Sequence, residues 1–212
     1  MKLYGYFRSS ASYRVRIALS LKGLDYDLQP IHLRRGDQRA TDYLSRNPQG
    51  LVPALVDDGK VLTQSLAIVE YLEERFPEPA LLPGGAADRA WVRALAQVVA
   101  CDIHPINNLR ILQYLEKDLE LDDGARAAWA RRWIEDGFGA LEAMLKDDPR
   151  TGDYCFGDNP TLADICLVPQ IFNSQRFAVD MGRFPTLARI HENCMRLSAF
   201  KDQAPERQPD AE

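Results

Sequence analysis

Residues 3–23 read LYGYFRSSASYRVRIALSLKG and decide the fold of the first part of the chain. The apolar run from Leu3 to Phe7 predicts a short buried strand. The polar stretch 9–12 then opens an amphipathic helix, and Gly23 ends it, because glycine commonly follows the last helical turn. The stretch therefore predicts a strand, a tight connection and a helix in immediate succession.

Further strands and helices are predicted in the residues that follow. Residues 25–33 predict a second strand, and the polar stretch 36–48 predicts a short helix or a loop. Two apolar runs, 53–56 and 60–62, are separated by Asp-Asp-Gly. This spacing is typical of a β-hairpin, since such residues tolerate the tight turn.

A helix follows the hairpin and completes a first domain. It begins at Ser65 and ends at Phe76-Pro77, because a residue before proline disfavours helical backbone. Strand, helix, strand, hairpin and helix in this order predict an α/β thioredoxin-like domain over residues 1–77. The segment 78–86 is rich in proline and glycine and predicts a linker.

Residues 87–212 are rich in Ala, Leu and Arg and lack strand signals, which predicts an all-α helical domain. Its expected helices cover 88–118 with an interruption at Pro105, 124–146, 161–178 and 186–198. The polar tail after Ala204 is expected to fray. The predicted fold class is therefore an α/β thioredoxin-like N-terminal domain followed by an all-α domain.

Charge and apolar runs exclude several classes of partner. The chain has 26 Lys and Arg against 31 Asp and Glu, a net charge of −5, so no basic footprint for nucleic acid or an anionic membrane is present. The apolar run 3–7 is too short for a signal peptide, and no window is long enough for a membrane span. We expect a cytoplasmic location.

The four cysteines and three histidines do not suggest a metal site. No CxxC pair occurs, and no histidine has metal-ligand spacing to another histidine or cysteine. We assign no metal and expect reduced, buried thiols.

The first chemical candidates lie where the first strand meets the first helix. Ser9 and Ser10 precede the helical run, and free N–H groups at a helix start favour an anion such as a thiolate. Simple capping by Ser9, Ser10 or Ser12 is the competing interpretation.

A second group of candidate site residues lies around the predicted hairpin. A cis bond before Pro53 would leave the main chain of Val52 unpaired and able to bind an extended peptide. Ser65, beside Gln64 at a helix start, could hold a carboxylate. Each feature alone also fits a tight turn or a helix cap. Together they indicate a site for a short thiol-containing peptide, with its carboxylate at Ser65 and its sulfur near Ser9.

Five runs of sequence carry a resemblance to a known family. They are SSASYRVRIAL at 9–19, NPQGLVPAL at 47–55, QSLAIVEYLEE at 64–74, CDIHPINNLRIL at 101–112 and TLADICLVPQ at 161–170. Together they resemble zeta-class glutathione transferases of the maleylacetoacetate isomerase type, and they reach both predicted domains.

The resemblance implies the glutathione transferase fold, glutathione as cofactor and a set of site residues. It implies that Ser9 hydrogen-bonds the glutathione sulfur and that Ser10 helps to position it. The residues implied to hold the rest of the tripeptide are Gln49, Val52, Pro53, Gln64 and Ser65, completed by Asp102, His104 and Asn108. The last three would act within one subunit or across a homodimer.

The implied activity is glutathione-dependent cis–trans isomerisation of maleylacetoacetate, in aromatic amino-acid catabolism, by reversible thiolate addition. Maleylpyruvate isomerisation, general glutathione transfer or dehalogenation, and a non-enzymatic adaptor role are the alternatives. Ala11 stands where the family has Cys, and Tyr13 where many members have Trp. Glutathione must therefore supply the reacting sulfur.

A dicarboxylate substrate approaching a protein of net charge −5 needs local cations. Arg8, Arg110 and Arg176 are the candidates to pair with its carboxylates and to act in catalysis. Arg14 and Arg16 are interpreted instead as solvated surface residues. Thr161 and Asp164 have capping-box spacing and are assigned a structural role.

Overall fold

The computed structural model describes all 212 residues, and the chain divides into two compact units. The first unit comprises Met1–Leu81 and Arg196–Glu212, and the second comprises Leu82–Met195. The first holds a four-stranded mixed sheet with helices, and the second is entirely helical. The predicted fold class is thus confirmed. None of the helices is at once long and apolar enough to cross a bilayer.

The first unit is built around a small sheet. Its strands are β1 (Lys2–Gly5), β2 (Asp27–Pro30), β3 (Ala54–Asp57) and β4 (Lys60–Thr63), and its first three helices are α1 (Ser10–Leu21), α2 (Thr41–Leu44) and α3 (Ser65–Arg75). The strand order is β2-β1-β3-β4, with β1 parallel to β2 and antiparallel to β3. The hairpin β3-β4 is antiparallel, as the sequence predicts.

Helix α1 lies in the middle of the first unit, where every residue from Ser12 to Leu19 is buried. It packs against α3. Leu3 of β1 pairs with Leu28 on one side and Leu55 on the other, and Leu3 and Leu55 are fully buried. The interpretation of Arg14 and Arg16 as solvated is therefore wrong, because α1 has no solvated face along this stretch.

The second unit is helical, as predicted. Its helices are α4 (Ala86–Gln97), α5 (Leu109–Lys117), α6 (Asp123–Leu145), α7 (Leu162–Gln175) and α8 (Pro185–Met195). The expected break at Pro105 is present but longer than predicted. A π-helical turn, Val98–Ile103, and a 3₁₀ turn, His104–Ile106, separate α4 from α5.

The π-helical turn depends on a close approach to α6. A Cβ added at Gly137 would collide with the side chain of Ile103, which is 1% exposed. Glycine at this position therefore allows the turn, which also carries Asp102, to pack directly on α6.

The N-terminus of α7 is held by a buried carboxylate. Asp164 is fully buried and accepts hydrogen bonds from the main chain of Thr161 (2.8 Å) and of Cys155 (2.9 Å). The Thr161 hydroxyl lies 2.8 Å from the same carboxylate. The capping box expected from the sequence is confirmed, and it also fixes the loop that carries Cys155.

Three of the four cysteines are buried, as expected: Cys155, Cys166 and Cys194. Burial raises the pKa of the Cys155 and Cys194 thiols. Cys101 differs from the expectation, because the π-helical turn leaves it exposed.

The C-terminal tail is ordered against the first unit rather than frayed. It forms a short helix, α9 (Ser198–Lys201), and Phe200 within it is fully buried. The Tyr13 hydroxyl donates to the carbonyl of Phe200 at 2.7 Å. Residues 196–212 thus group with the first unit, whereas the sequence placed them in the helical domain. Composition could not reveal this, because the buried hydrogen bonds join residues nearly two hundred positions apart.

Replacing Asp164 with Ala should lower the free energy of unfolding by about 3 kcal/mol, because two buried main-chain N–H groups lose their acceptor. Urea unfolding followed by circular dichroism measures the loss. Asp122, an exposed residue that caps α6 by one bond at 2.7 Å, is the matched control. Asp122→Ala should cost about 1 kcal/mol, and equal losses in the two variants would contradict the assigned role of Asp164.

Candidate active site

A tight turn between β1 and α1 places Ser9. The main-chain N–H of Ser9 donates to the carbonyl of Tyr6 at 3.0 Å, so residues 6–9 close into a turn. Ser9 is the N-cap of α1, and its hydroxyl oxygen accepts from the N–H of Ser12 at 3.2 Å. The capping interpretation is therefore correct. It is also compatible with an anion site, since the hydroxyl keeps its own hydrogen to donate.

The start of α3 is joined to α1 by a buried arginine. The Arg14 Nη1 donates to the hydroxyl oxygen of Ser65 at 3.3 Å, and both residues are at least 93% buried, with 2% and 7% of their surface exposed. Ser10, also 7% exposed, lies one helical turn before Arg14 on the same face of α1. Two helix N-termini and a guanidinium thus come together, an arrangement that attracts anions.

The loop before β3 is fixed from both sides. The Val52–Pro53 bond is cis, the geometry whose consequence for Val52 was considered from the sequence. Val52 packs in a buried cluster with Tyr6, Phe7 and Tyr43, so the cluster links this loop to the turn that carries Ser9. The carbonyl of Leu51 accepts from the Tyr43 hydroxyl at 2.6 Å and from the Asn47 side-chain amide at 2.7 Å.

The main chain of Val52 makes no hydrogen bond in the structure. Nearby, Gln64 has a left-handed backbone, φ +69°, which few non-glycine residues adopt. Its side-chain amide donates to the Gln49 side-chain oxygen at 2.7 Å. Both glutamines are exposed. Gln49 and Gln64, expected from the sequence to share a site, are therefore in contact.

Tyr43 and Arg14 are residues of this site that the sequence analysis missed. Burial raises the pKa of Tyr43 to about 12, so its hydroxyl stays protonated and keeps donating to Leu51 at neutral pH. No motif marks Tyr43. For Arg14 the sequence offered only its place between the apolar residues Tyr13 and Val15, which does not distinguish a buried arginine from a solvated one.

The other expected site residues lie in the second unit. Asp102 is exposed on the π-helical turn, and His104 begins the 3₁₀ turn that follows it. Asn108 is the N-cap of α5, where its side-chain oxygen accepts from the N–H of Ile111 at 3.3 Å. The three residues lie along one short, irregular stretch of chain.

The three candidate arginines are all exposed, unlike Arg14 and Arg16. Arg8 lies in the turn before Ser9, and Arg110 lies in the first turn of α5. Arg176 caps the C-terminus of α7, with its guanidinium 5.4 Å from the centre of the Phe177 ring. Exposure leaves each of them able to meet a charged ligand.

Known families match both units of the chain. Residues 1–74 match the glutathione S-transferase N-terminal domain, and residues 122–193 match the glutathione S-transferase C-terminal domain. A probable maleylacetoacetate isomerase of Vibrio cholerae is 50% identical over 211 residues, which cover 99% of this chain and 97% of that protein.

Two solved structures are similar to the whole chain. One is a holo structure of maleyl pyruvate isomerase, described as a bacterial zeta-class glutathione S-transferase. It is 50% identical, with a TM-score of 0.98 and complete coverage of both chains. The other is maleylacetoacetate isomerase of Methylobacterium extorquens AM1 with bound malonate and glutathione, 43% identical, with a TM-score of 0.96 and the same coverage.

Both domain-family matches and the full-length relatives at 50% identity indicate a glutathione transferase, and so does the geometry at the starts of α1 and α3. The chain belongs to the glutathione transferase family, and within it to the zeta class.

Proposed function

We propose that this protein catalyses the glutathione-dependent cis–trans isomerisation of maleylacetoacetate. The observation that carries the proposal is the full-length likeness, at 43% identity, to an isomerase whose structure holds both glutathione and a dicarboxylate. Glutathione, when bound, supplies the thiolate that adds reversibly to the cis double bond and leaves after rotation. It is regenerated in each cycle and acts as a cofactor.

Ser9 is the residue that we assign to the sulfur. Its oxygen accepts a hydrogen bond from Ser12, so its O–H is not used in that bond and can donate to a thiolate. The N-terminus of α1 adds a positive partial charge at the same place. Together they favour the ionised thiol at neutral pH. Ser10, the first residue of α1, helps to position the sulfur.

The start of α3 is assigned to a carboxylate of the tripeptide. Ser65 and the neighbouring main-chain N–H groups can donate to it, while Arg14 supplies a full positive charge from behind Ser65. The main-chain groups of Val52, held by the cis Pro53, are available to pair with the peptide backbone. The side-chain amides of Gln49 and Gln64 can donate and accept hydrogen bonds at the edge of the bound tripeptide.

Substrate recognition requires cations outside the tripeptide site. Arg8, Arg110 and Arg176 are exposed, and a planar guanidinium can bind a carboxylate through two hydrogen bonds. We assign these three arginines to the substrate, a small dicarboxylate. Asp102, His104 and Asn108 are assigned to complete the glutathione site.

Maleylpyruvate is a second candidate substrate, because a maleyl pyruvate isomerase is 50% identical to this chain. The two substrates share the reacting double bond and differ in the group beyond it. A non-enzymatic adaptor of the same fold is less well supported, since the chain keeps Ser9, Ser10, Gln64 and Ser65 together.

We also propose that the protein is a homodimer with two-fold symmetry, the commonest closed arrangement of identical subunits. In a dimer, Asp102 and His104 would be able to act across the subunit interface. Sedimentation at micromolar concentration distinguishes the dimer from a monomer of 24.0 kDa. A fully active monomer would contradict the proposal.

The direct test is isomerisation of maleylacetoacetate and maleylpyruvate, followed by ultraviolet absorbance with and without glutathione. Because Ala11 stands where the family has a cysteine, the turn that carries Ser9 has no thiol of its own, and activity should require added glutathione completely. Full activity of dialysed, thiol-free protein would contradict this mechanism. Glutathione binding without turnover of either substrate would favour the adaptor role.

Ser9→Ala and Ser65→Ala should have different effects. Ser9→Ala removes the donor to sulfur, so the pKa of the bound thiol should rise and kcat should fall by about ten-fold or more. Ser65→Ala should mainly weaken glutathione binding. Titration of the thiolate absorbance band and a glutathione binding isotherm measure the two effects. An unchanged thiol pKa in Ser9→Ala would remove the role assigned to Ser9.

Arg176→Ala should lower kcat/KM for the dicarboxylate by about thirty-fold to a thousand-fold, the loss expected for a bidentate ion pair. Arg176→Lys should recover part of it, since an ammonium keeps the charge without the planar fork. Glutathione affinity should barely change.

Arg183 is the matched control, because it is also exposed and lies 5.5 Å from the ring of the next residue, Phe184. Arg183→Ala should leave kcat/KM near the wild-type value. A wild-type rate of isomerisation in Arg176→Ala, or a large loss of its glutathione affinity, would contradict this role. Substrate recognition would then be assigned to Arg8 and Arg110.

A further inference from the structure

The last ten residues of the chain contact the turn that carries Ser9. The side-chain oxygen Oδ2 of Asp210 accepts a hydrogen bond from the main-chain N–H of Phe7 at 3.0 Å. Phe7 is the second residue of the turn closed by the Ser9 N–H and the Tyr6 carbonyl. A residue more than two hundred positions away thus holds the turn from which the helix α1 begins.

The peptide groups of this turn are held on both sides. The carbonyl of Phe7 accepts from Arg16 Nη2 at 3.1 Å, and the carbonyl of Tyr6 lies 3.5 Å from Arg16 Nη1. Arg16 also donates to the carbonyl of Gln203, through Nε at 3.2 Å and Nη2 at 3.1 Å. Asp210 and Arg16 therefore fix the N–H and the C=O of one residue, Phe7.

Water has little access to replace these bonds. Phe7 is 6% exposed and Arg16 is fully buried. Without the Asp210 carboxylate, the N–H of Phe7 would have to reorient or remain unpaired, and either outcome loosens the turn. A rotation of this peptide group would move Arg8 and Ser9 together, since they follow it directly in the chain.

Asp210 is itself held in place by its neighbours. The Glu212 carboxylate lies 2.7 Å from His32 Nε2 and accepts from Arg35 Nη2 at 3.1 Å. The N–H of Ala211 donates to the carbonyl of Gln208 at 3.0 Å. Burial lowers the pKa of Arg16, and the negative charge of Asp210 partly opposes this shift. Asp210 thus stabilises the buried cation that binds the other side of the turn.

We propose that Asp210 is a positioning residue for the isomerisation: by binding the main-chain N–H of Phe7, it orients the turn that presents Ser9 to the glutathione sulfur. The inference rests on the proposed function for the role of Ser9. It differs from simple anchoring of the tail, which would stabilise the fold without any effect on the reacting sulfur.

Three variants separate positioning from anchoring. Asp210→Ala removes the acceptor for the Phe7 N–H. Asp210→Asn keeps an oxygen acceptor, and its amide nitrogen displaces no bond, because Oδ1 of Asp210 has no hydrogen-bond partner. Asp202→Ala is the matched control, since Asp202 forms an exposed ion pair of 3.0 Å with Arg207 in the same tail and its side chain does not reach the turn.

For Asp210→Ala we expect kcat to fall by about five-fold to ten-fold, the effect of losing one buried hydrogen bond that orients the site. The pKa of bound glutathione should rise, and its dissociation constant should stay within about two-fold, because Ser65 and its hydrogen bond to Arg14 are untouched. Asp210→Asn should restore most of kcat. Asp202→Ala should match the wild type in every measurement.

A wild-type kcat and a wild-type thiol pKa in Asp210→Ala would overturn the proposal. So would parallel losses of thermal stability, glutathione affinity and kcat in Asp210→Ala and Asp202→Ala, which would indicate anchoring alone. Absence of isomerase activity in the wild type would instead reject the proposed function. In that event amide hydrogen exchange of residues 6–12 still distinguishes positioning from anchoring. Only positioning predicts faster exchange of these residues in Asp210→Ala than in Asp202→Ala.

Discussion

The first unit depends on the burial of one cation, Arg16. Its guanidinium is fully buried, and burial lowers its pKa to about 10, so it stays charged at neutral pH. Removing such a charge from water costs several kcal/mol unless hydrogen bonds replace the lost solvation. Carbonyl groups of the turn at Tyr6 and Phe7 and of Gln203 in the tail provide them. The turn and the tail must therefore form together, because each supplies acceptors that the same guanidinium needs.

Two more buried cations, Arg14 in α1 and Lys22 at its C-terminal cap, bind opposite ends of α3. Arg14 donates to Ser65 at the start of α3. Lys22 binds the Glu73 carboxylate near the end of α3 at 2.8 Å and also donates to the carbonyls of Phe76 and Pro79. Losing one partner of such a buried pair is costly, since the other charge remains unpaired. The two cations thereby fix both ends of α3 and the chain that follows it.

This arrangement explains how a protein of net charge −5 can hold anions. One buried positive charge, the Arg14 guanidinium, lies directly behind Ser65 at the N-terminus of α3. In the proposed site, the Ser9 hydroxyl and the donors at the start of α3 meet the anion, and the guanidinium of Arg14 adds positive charge in a poorly hydrated place. The arginines that we assign to the substrate, Arg8, Arg110 and Arg176, differ from Arg14 because their side chains are exposed.

The sequence by itself determined the fold class, the order of strands and helices along the chain, the hairpin and the capping role of Asp164, because these depend on local periodicity and on residues close in sequence. The resemblance carried by the runs at 9–19 and 47–55 likewise identified the family. Only the tertiary structure decided that Arg14 and Arg16 are buried, that Cys101 is exposed, and that the tail returns to the first unit. Those outcomes depend on hydrogen bonds and packing between distant parts of the chain, and neither local pattern nor composition contains them.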